Sequence, residues 1–435
     1  MSHTLKVNSQ RLALFGGSKA INYDMPIYSS IGEEERLAAM EVLKSGVLSK
    51  FLGAWSPDFY GGEKVQAFER AWEKAFRVKH AVSVNTATSG LMAALGALNL
   101  EPGDEVIVSP WTMSADAAAI LVWNAVSVFA DIERDTFNLC PKSILKNISV
   151  KTKAILVSDI FGHAAKLDQI MSIARERGIK VIEDAAQAPW AQYQGAHVGT
   201  IADIGVFSLN YHKHIHTGEG GICVTNDSKL AERMQLIRNH AESVVGPKGV
   251  SNLANMIGFN FRLGEIEAAI GIEQLKKLPK LALEKTRAGL RLSAGLKDLV
   301  GLKVPEVAAN CSHVFYVFPM VLDLERLGVS RKSIVAALKA EGVPAVAEGY
   351  QTVHLLPIFQ KKQAYGNSSF PWKMDGEVSK VSYDHGICPV AEELHEQTLI
   401  RISPCSHRYN DDDVDHIIVA FQKVWSQLKE LRAHG

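Results

Sequence analysis

From about residue 63 onward, short β-rich runs alternate with helical stretches along the chain. The runs predicted as strands are AVSVN (81–85), EVIVS (105–109), SVFA (127–130), KAILVS (153–158), KVIEDA (180–185), IGVFSL (204–209) and GICVT (221–225). Parallel strands need long crossover connections, which helices usually supply, so this alternation predicts a mostly parallel sheet with helices on both faces. Ligands of such sheets bind at the carboxyl ends of the strands. Residues that directly follow a strand are therefore the first candidates for function.

The pattern changes beyond about residue 280. There HVFYVFPMVLD (313–323) and LIRIS (399–403) are predicted as strands, and SRKSIVAALKAEG (330–342) as a helix. A long helix follows Asn410, and the acidic run at its start complements the helix dipole. This part is predicted to be a smaller α+β domain. The predicted division is an N-terminal arm with the helix GEEERLAAMEVLKSG at 1–62, a large α/β domain at 63–280 and a small C-terminal domain at 281–435.

Charge and cysteine content narrow the classes of partner and compartment. The chain carries 47 Lys and Arg against 47 Asp and Glu, whereas nucleic acids and anionic membranes select a clustered basic excess. Its five cysteines are scattered without a CxxC pair, which predicts free thiols in a reducing compartment. Residues 1–15 lack the apolar core of a signal peptide, and the most apolar stretch (117–130) is too short to span a bilayer. We therefore predict a cytoplasmic protein that binds neither nucleic acid nor membranes.

The segment SLNYHKHIHTGEGG (208–221) lies between two predicted strands and holds a single lysine, Lys213. The glycines after it permit close backbone approach, and a lysine held there could form an imine with a carbonyl group. A solvated lysine in a tight glycine turn explains the same pattern equally well. His212, His214 and His216 flank the lysine, but no carboxylate pair stands near them in the sequence to complete a metal site. We predict no metal at this segment.

Two further segments follow predicted strands. In VIEDAAQ (181–187) the strand ends at Asp184, whose carboxylate is placed either to hold a protonated pyridine nitrogen or to cap a helix. In NTATSG (85–90) the hydroxyl groups and the free amides of a helix start suit either a phosphate group or ordinary helix capping. Each segment alone leaves both interpretations open. A phosphate cradle, a strand-end carboxylate and a glycine-flanked lysine, found together after successive strands, describe a site for pyridoxal 5′-phosphate.

With these motifs in this order, the chain resembles the DegT/DnrJ/EryC1/StrS family of sugar aminotransferases from about residue 27 to the C-terminal helix. The motifs that carry the resemblance are PGDEVIVSPWT (102–112), VIEDAAQA (181–188), SLNYHKHIHTGEGG (208–221), VTNDSKLAERMQLIRNH (224–240) and GFNFRLGEIEAAIG (258–271). The resemblance implies the aspartate-aminotransferase fold, which is fold type I of the pyridoxal-phosphate-dependent transferases. It also implies pyridoxal 5′-phosphate as the cofactor.

The resemblance implies roles for individual residues as well. Lys213 matches the lysine that forms an imine with the cofactor, and Asp184 matches the carboxylate on its pyridine nitrogen. The other implied cofactor contacts within the chain are Gln187 near the phenolic oxygen of the ring, and Ala87, Thr88 and Ser208 at the phosphate. Asn260 matches an asparagine that reaches the phosphate from the neighbouring subunit, which implies a homodimer with two shared active sites.

Two positions depart from the family pattern. Where the family often stacks an aromatic ring on the cofactor, the chain reads Pro110-Trp111-Thr112-Met113. We expect Met113 to cover the ring with its polarizable thioether, whereas a shift of two positions would place Trp111 there instead. Asp159 stands where a histidine is often found, so no role is carried over to that position.

The implied reaction is a transamination from glutamate or glutamine to a nucleotide-linked keto-sugar or a cyclitol ketone, in amino-sugar, cell-surface polysaccharide or secondary-metabolite biosynthesis. Lys213 acts in it as base and acid, while Asp184 keeps the ring nitrogen protonated. The candidate substrate contacts are His212, His214, Tyr350 and His354. One alternative is the dehydratase branch of the family, which has a histidine in place of the lysine. The other is a non-catalytic regulatory protein, although the chain has no evident DNA-binding domain or basic patch.

Overall fold

The computed structural model of the protein describes residues 11–374 and 376–434. Its strands are β1 His80–Val84, β2 Glu105–Val108, β3 Val126–Phe129, β4 Thr152–Ser158, β5 Lys180–Asp184, β6 Gln192–Tyr193, β7 Ala196–His197, β8 Ile204–Ser208, β9 Gly221–Thr225, β10 Leu302–Lys303, β11 Phe318–Leu322, β12 Ala347–Glu348, β13 Lys373–Met374, β14 Glu377–Val378 and β15 Leu399–Ile402. Its helices are α1 Glu33–Ser45, α2 Glu63–Phe76, α3 Ala87–Ala97, α4 Ser114–Val122, α5 Pro141–Asn147, α6 Leu167–Glu176, α7 Ser228–Arg238, α8 Ala241–Lys248, α9 Glu265–Leu296, α10 Leu324–Leu327, α11 Arg331–Ala340, α12 Pro357–Gln360, α13 Pro389–Glu393, α14 Asp411–Ser426 and α15 Leu428–His434. None of the helices among these residues combines the length and apolar character needed to cross a membrane.

The large sheet has the strand order β1-β9-β8-β5-β4-β2-β3. Its strands are parallel, except that β9 is antiparallel to both of its neighbours, β1 and β8. Parallel strands that are covered on both faces consist of nearly continuous apolar runs, as in β4, where every residue except Lys153 is buried. The prediction of a mostly parallel sheet flanked by helices is confirmed.

Helices cover both faces of this sheet, and alternate residues of a strand face opposite layers. Val106 and Val108 of β2 share a core with residues of α3, α4 and α7. Ile107, between them, shares the other core with residues of α2, α6 and α9. In that second core, Trp72 of α2 meets the ring of Phe207 from β8 at 5.2 Å between centroids. The two packed layers hold the carboxyl ends of β4, β5 and β8 side by side.

The reversed strand β9 brings distant parts of the chain to one place on the sheet edge. Its first residue, Gly221, is paired with Ser208, the last residue of β8. Gly221 is also paired with Val84, the last residue of β1, and α3 begins three residues later at Ala87. The start of α3, the end of β8 and the glycine-rich segment before β9 therefore meet beside one another.

A second sheet, of strand order β10-β11-β15-β12, is antiparallel throughout. It forms a third core with the second half of α9, with α11 and with α14. Leu12, Ile21 and Met25 of the N-terminal segment are buried in the same core. The carboxylate of Glu341 at the end of α11 accepts a hydrogen bond from the amide of Ala20 (2.9 Å). The N-terminal segment is thus held against the C-terminal sheet.

The strand predicted at 313–323 is shorter in the structure, because β11 begins only at Phe318. Before it, the amide of Val314 donates to the carbonyl of Gly162 in the loop after β4 (2.9 Å). Phe315 has a φ of 44°, which is a left-handed conformation foreign to strands. The prediction was wrong at 313–317 because an apolar run does not distinguish a strand from a buried loop. This loop carries Tyr316 to the site described below.

Helix ends follow the predicted signals. The N-terminal helix α1 ends at Gly46, whose φ of 72° closes it in a left-handed conformation. Before α14, the side chain of Asn410 accepts the amide of Asp413 (2.8 Å), and the carboxylate of Asp413 accepts the amide of Asn410 (3.0 Å). The acidic run at 411–413 therefore provides a reciprocal capping box in addition to complementing the helix dipole.

Candidate active site

A cavity of about 270 Å³ lies at the carboxyl ends of β5 and β8, beside the start of α3. Most of the residues predicted for the site line this cavity, namely Ala87, Thr88, Met113, Asp184, Gln187, Ser208, His212, Lys213 and Tyr350. They come from segments that are far apart in the sequence, and the strand order of the large sheet brings them together. The cavity is therefore where the chemistry of the predicted residues can combine.

Lys213 lies in the turn that follows β8, where its amide donates to the carbonyl of Asn210 (2.9 Å). Its side chain is buried, and Nζ lies 4.3 Å from the centroid of the Tyr316 ring. Burial lowers the pKa of this amine to about 8, against the opposing effect of the Asp184 carboxylate. The lysine is therefore a buried amine facing the cavity, which rules out the solvated glycine-turn lysine.

Asp184 is the last residue of β5, and its Oδ1 accepts a hydrogen bond from the amide of Ala186 (2.9 Å). A turn rather than a helix follows, so the helix-cap interpretation of Asp184 is wrong. Burial raises the pKa of this carboxyl, while the Ala186 amide, Asp116 and the positive charge of Lys213 oppose that effect. Asp184 and Lys213 thus place a carboxylate and an amine in one buried cavity.

The start of α3 forms a cradle of backbone donors. Thr86 caps the helix, since its hydroxyl accepts the amide of Ser89 (3.0 Å), so the capping interpretation holds for this one hydroxyl. Ala87 and Thr88 are the first residues of the helix, whose amides have no acceptor within it. A Cβ at position Gly221 would lie 2.6 Å from the amide nitrogen of Ala87, so only glycine permits β9 to approach this closely. The cradle suits an anionic group.

Gln187 connects the cavity to the loop after β4. Its Oε1 accepts the amide of Phe161 (2.8 Å), and its Nε2 donates to the hydroxyl of Tyr350 (3.1 Å). Both bonds fix the amide plane of the glutamine, and burial raises the pKa of Tyr350 to about 12, so the phenol stays neutral. Gln187 and Tyr350 therefore form a neutral polar wall of the cavity.

The structure places the two candidates for the ring-covering position in different environments. Met113 lines the cavity and is 58% exposed, at the residue before α4. Trp111 is fully buried behind it, with its ring 5.7 Å from the ring of Tyr350, and does not line the cavity. The thioether, and not the indole, faces the cavity.

The histidines of the lysine segment lie in different environments. His212 lines the cavity, whereas the ring of His214 is fully buried, with Nε2 2.8 Å from the carbonyl oxygen of Val314. His216 accepts the amide of Gly218 at Nδ1 (3.3 Å). The three rings therefore do not converge on a common point.

Two more predicted residues lie away from this cavity. His354 is fully buried, with Nε2 2.8 Å from the carboxylate of Glu392. Asn260 has an exposed side chain that accepts a hydrogen bond from Nε of Arg262 (2.7 Å). Neither residue lines the cavity of its own chain.

Sequence reasoning missed several residues that line the cavity: Asp116, Asn210, Glu219 and Tyr316. The sequence did contain a signal for Asp116, because it is the one carboxylate in the apolar run ADAAAILV of α4. A carboxylate buried among apolar residues is costly unless other groups compensate for it. Tyr316 gave no signal, since it stood inside a predicted strand. Asn210 and Glu219 belong to the lysine segment, where their side chains bond to each other (2.8 Å).

A helix start with free amides, a buried carboxylate and a buried lysine amine match the phosphate, the ring nitrogen and the aldehyde of pyridoxal phosphate, respectively. The close approach at Gly221 leaves the amide of Ala87 accessible, as a phosphate group requires. The residues present therefore fit this cofactor. Fold and site together define a pyridoxal-phosphate-dependent transferase of fold type I.

The chain belongs to the DegT/DnrJ/EryC1/StrS aminotransferase family, whose sequence model matches residues 30–422. It is 31% identical over 408 residues to the spore coat polysaccharide biosynthesis protein SpsC of Bacillus subtilis, a match that covers 92% of this chain and 96% of that protein. It is 34% identical over 298 residues to the GDP-perosamine synthase of Caulobacter vibrioides, covering 68% of this chain and 78% of that enzyme.

Among solved structures, an aminotransferase from Psychrobacter cryohalolentis matches with a TM-score of 0.79 at 26% identity, covering 93% of this chain and all (100%) of that chain. The sequence matches and the structural match therefore both indicate an aminotransferase. The predicted family, the predicted aminotransferase activity and pyridoxal phosphate as the cofactor are confirmed.

Proposed function

We propose that this aminotransferase moves an amino group from glutamate or glutamine to the keto group of a nucleotide-linked sugar, in amino-sugar, cell-surface polysaccharide or secondary-metabolite biosynthesis. The relatives named as a polysaccharide biosynthesis protein and a GDP-perosamine synthase support this substrate class. The observation that carries the proposal is the buried amine of Lys213, which faces the same cavity as Asp184 and the start of α3.

When bound, pyridoxal phosphate supplies an aldehyde carbon that condenses with amines and a ring that accepts electrons. Lys213 is the attachment point and the proton carrier in this proposal. Because its pKa is about 8, a useful fraction of Nζ is neutral near neutral pH and can take a proton, which it later returns. Asp184, at the end of β5, holds the proton of the ring nitrogen with its carboxylate.

The remaining contact residues bind the cofactor and orient its ring. The amides of Ala87 and Thr88, with the hydroxyls of Thr88 and Ser208, are the proposed phosphate ligands, and all three residues line the cavity. Met113 covers one face of the ring through its exposed thioether. Gln187 supplies an amide near the phenolic oxygen, and its bonds to Phe161 and Tyr350 hold that amide in place.

His212 and Tyr350 are the proposed substrate contacts, since both line the cavity. Burial and the charge of Lys213 lower the pKa of His212 to about 4, so it acts as a neutral hydrogen-bonding group. His214 and His354 are not included, because their Nε2 atoms are engaged by Val314 and Glu392 outside the cavity.

The active unit in this proposal is a homodimer with shared sites. Helix α1 exposes Leu37, Met40 and Leu43, which are 62%, 48% and 51% exposed and lie on one face of the helix. A contiguous apolar face on a polar protein is typical of a subunit interface. Asn260 is exposed in its own chain, as a residue donated to the partner's phosphate cradle would be.

The proposal extends to the cellular compartment and to the domain division. The proposed compartment is the cytoplasm, which the five free cysteines support, because thiols stay reduced there. The proposed domain division places boundaries at residues 62 and 280 of the sequence. A separate core built from α9, α11, α14 and the second sheet supports a distinct C-terminal domain.

A substrate screen tests the function. The purified protein is loaded with pyridoxamine phosphate, keto-substrates are added one at a time, and the visible absorption of the aldehyde cofactor is followed. We expect nucleotide-linked keto-sugars to restore that absorption and to yield an amino-sugar, whereas a response to cyclitol ketones alone would replace the proposed substrate class. A dehydratase would instead release a deoxy product without an amine. A non-catalytic binding protein would show no absorption change when glutamate is added to the pyridoxal form.

A further inference from the structure

Asp116 is a carboxyl group that neither the family resemblance nor the proposed reaction uses. It lies in the first turn of α4, between apolar residues, and lines the cavity together with Asp184. Its side chain is fully buried. An isolated ionised carboxylate is costly to bury, so the groups around Asp116 must compensate for it.

Two hydroxyl groups hold one oxygen of this carboxyl. Ser158 and Thr112 both donate to Oδ2 of Asp116, at 2.5 and 2.9 Å. The other oxygen, Oδ1, is buried as well and accepts no hydrogen bond from any residue that the structure describes. Ser158 is the last residue of β4 and is paired in register with Asp184 of β5. The carboxyls of Asp116 and Asp184 therefore lie side by side, within hydrogen-bonding reach of each other.

Two neighbouring buried carboxylates repel each other strongly, and neither can donate to the other. A single proton between them removes the repulsion and also gives the bare oxygen of Asp116 a partner. Burial and the nearby Asp184 charge raise the pKa of Asp116 well above its usual range. Burial raises the pKa of Asp184 as well, but the amide of Ala186 and the amine of Lys213 oppose that rise and favour its ionised form. At Asp116 the hydroxyls of Ser158 and Thr112 also oppose the rise, but burial and the Asp184 charge outweigh them. The shared proton therefore belongs to Asp116.

We propose that Asp116 is a positioning residue that carries a proton on Oδ1 and donates a hydrogen bond to the carboxylate of Asp184, which keeps that carboxylate ionised and fixes its orientation. The inference rests on the proposed function, in which Asp184 binds the ring nitrogen. The other titratable groups that face Asp116 are Lys213 and Tyr350. Neither of them is hydrogen-bonded to it, so the pair of carboxyls is the unit that shares the proton.

Three variants of the cofactor-loaded protein test this. Asp116→Asn keeps a neutral donor of the same shape, and Asp116→Leu fills the space without any donor. Asp159→Asn is the matched control, because Asp159 is also a buried carboxyl with a raised pKa, directly after β4. Its hydrogen-bonded carboxyl partner is Glu183, and Asp184 acts on it only through its charge. Thermal unfolding of each variant establishes that it is folded.

The first measurement is the infrared difference spectrum between the wild-type protein and Asp116→Asn, without substrate. We expect the variant to lose the carbonyl band of a protonated carboxyl. Loss of ionised carboxylate bands instead would overturn the proposal, because Asp116 would then be an anion. This measurement does not depend on activity.

The second measurement is the dissociation constant of the cofactor, together with the pH titration of its visible absorption. We expect Asp116→Asn and Asp159→Asn to match the wild type, and Asp116→Leu to bind about tenfold more weakly and to titrate at a different pH. The proposal fails if Asp116→Asn behaves like Asp116→Leu, if Asp116→Leu behaves like the wild type, or if Asp159→Asn shows the same loss. Failure of the proposed function is distinguishable, because it would appear as a wild-type protein without amino transfer.

Discussion

At the scale of single residues, the lysine that attaches the cofactor is also a cost to folding. Lys213 is buried and its pKa is lowered to about 8, so the unfolded chain binds the proton of this amine more tightly than the folded protein does. The destabilisation is complete below pH 8 and fades as the pH rises toward the unfolded value of 10.5. The amine that the reaction needs therefore lowers the free energy of unfolding of the cofactor-free protein.

We expect Lys213→Met to abolish amino transfer and to stabilise the cofactor-free protein at pH 7. The gain in the free energy of unfolding should be on the order of 3 kcal/mol, because a neutral side chain of similar length replaces a buried charge. Denaturant unfolding at pH 7 and pH 10 measures it, and the gain should shrink at the higher pH. Lys332→Met, at an exposed position of α11, is the control and should show no such pH-dependent gain. Equal stability of Lys213→Met and wild type at pH 7 would contradict the assignment of a buried amine whose charged form is destabilised by burial.

Asp184 allows a test that separates catalysis from stability. We expect Asp184→Asn to lower the turnover rate roughly 10²–10³-fold, because a neutral amide no longer stabilises the protonated ring nitrogen. The free energy of unfolding should change little, since no helix follows to be capped and the amide oxygen still accepts the Ala186 amide. Steady-state kinetics and denaturant unfolding on the same preparation measure both effects. A stable variant with nearly unchanged turnover would remove Asp184 from the mechanism.

At the scale of elements, the start of α3 divides two tasks between neighbouring threonines. Both threonines line the cavity, but the hydroxyl of Thr86 is occupied as the helix cap, where it accepts the amide of Ser89. We expect Thr86→Ala to lower the free energy of unfolding by about 1 kcal/mol through loss of the cap. Thr88→Val should leave stability nearly unchanged but weaken cofactor binding about tenfold, through loss of a hydrogen bond to a charged group.

Denaturant unfolding and a fluorescence titration with pyridoxal phosphate measure these two effects separately. Each variant serves as the control for the other, because both remove one hydroxyl from the same turn of the chain. If Thr88→Val destabilised the protein as much as Thr86→Ala did, without weakening cofactor binding, the proposed role of Thr88 as a phosphate ligand would be wrong.

The elements themselves were largely predictable from the sequence. Each of the seven strands of the large sheet was predicted within about two residues, because a β-branched apolar run bounded by turns is a local signal. The helix ends at Gly46 and Asn410 were predictable for the same reason, since caps act within one turn. The segment at 313–317 was not, because its backbone bonds to a loop about 150 residues away.

At the scale of the whole molecule, the proposed shared site makes activity a property of the dimer. We expect a mixture of Lys213→Ala and Asn260→Asp chains to regain activity, although each variant alone is inactive. In a mixed dimer one site would carry both defects and the other neither, so random pairing at equal amounts should restore about one quarter of the wild-type activity. The aspartate is chosen because its charge repels a phosphate group.

Activity assays before and after subunit exchange measure this, with sedimentation as the check on assembly. The control is a mixture of Lys213→Ala with Asp184→Asn chains. Both of those defects lie in the cavity of the same chain, so in that mixed dimer each site keeps one defect and recovery should stay small. The shared-site model would be wrong if subunits are shown to exchange and no activity returns, or if the active species sediments as a monomer.

The sequence by itself determined the seven strands of the large sheet, their order along the chain and the main chemical groups of the site. A lysine among glycines, a carboxylate at a strand end and a hydroxyl-rich helix start are local features, and each lies just after a strand because parallel sheets bind ligands there. The alternation of strands and helices restricts the possible chain connections, but the strand order itself, with β9 reversed, is known only from the structure.

Only the tertiary structure decided which side chains face the cavity. It turned Met113 toward the cavity and Trp111 into the core, and it separated His212 from His214. Side-chain direction in turns and loops depends on backbone angles that distant hydrogen bonds set, so neighbouring residues of one motif end in different environments. The pairing of Asp116 with Asp184 was not predictable for the same reason. It depends on the contact between the first turn of α4 and Ser158, which is paired with Asp184 on the neighbouring strand.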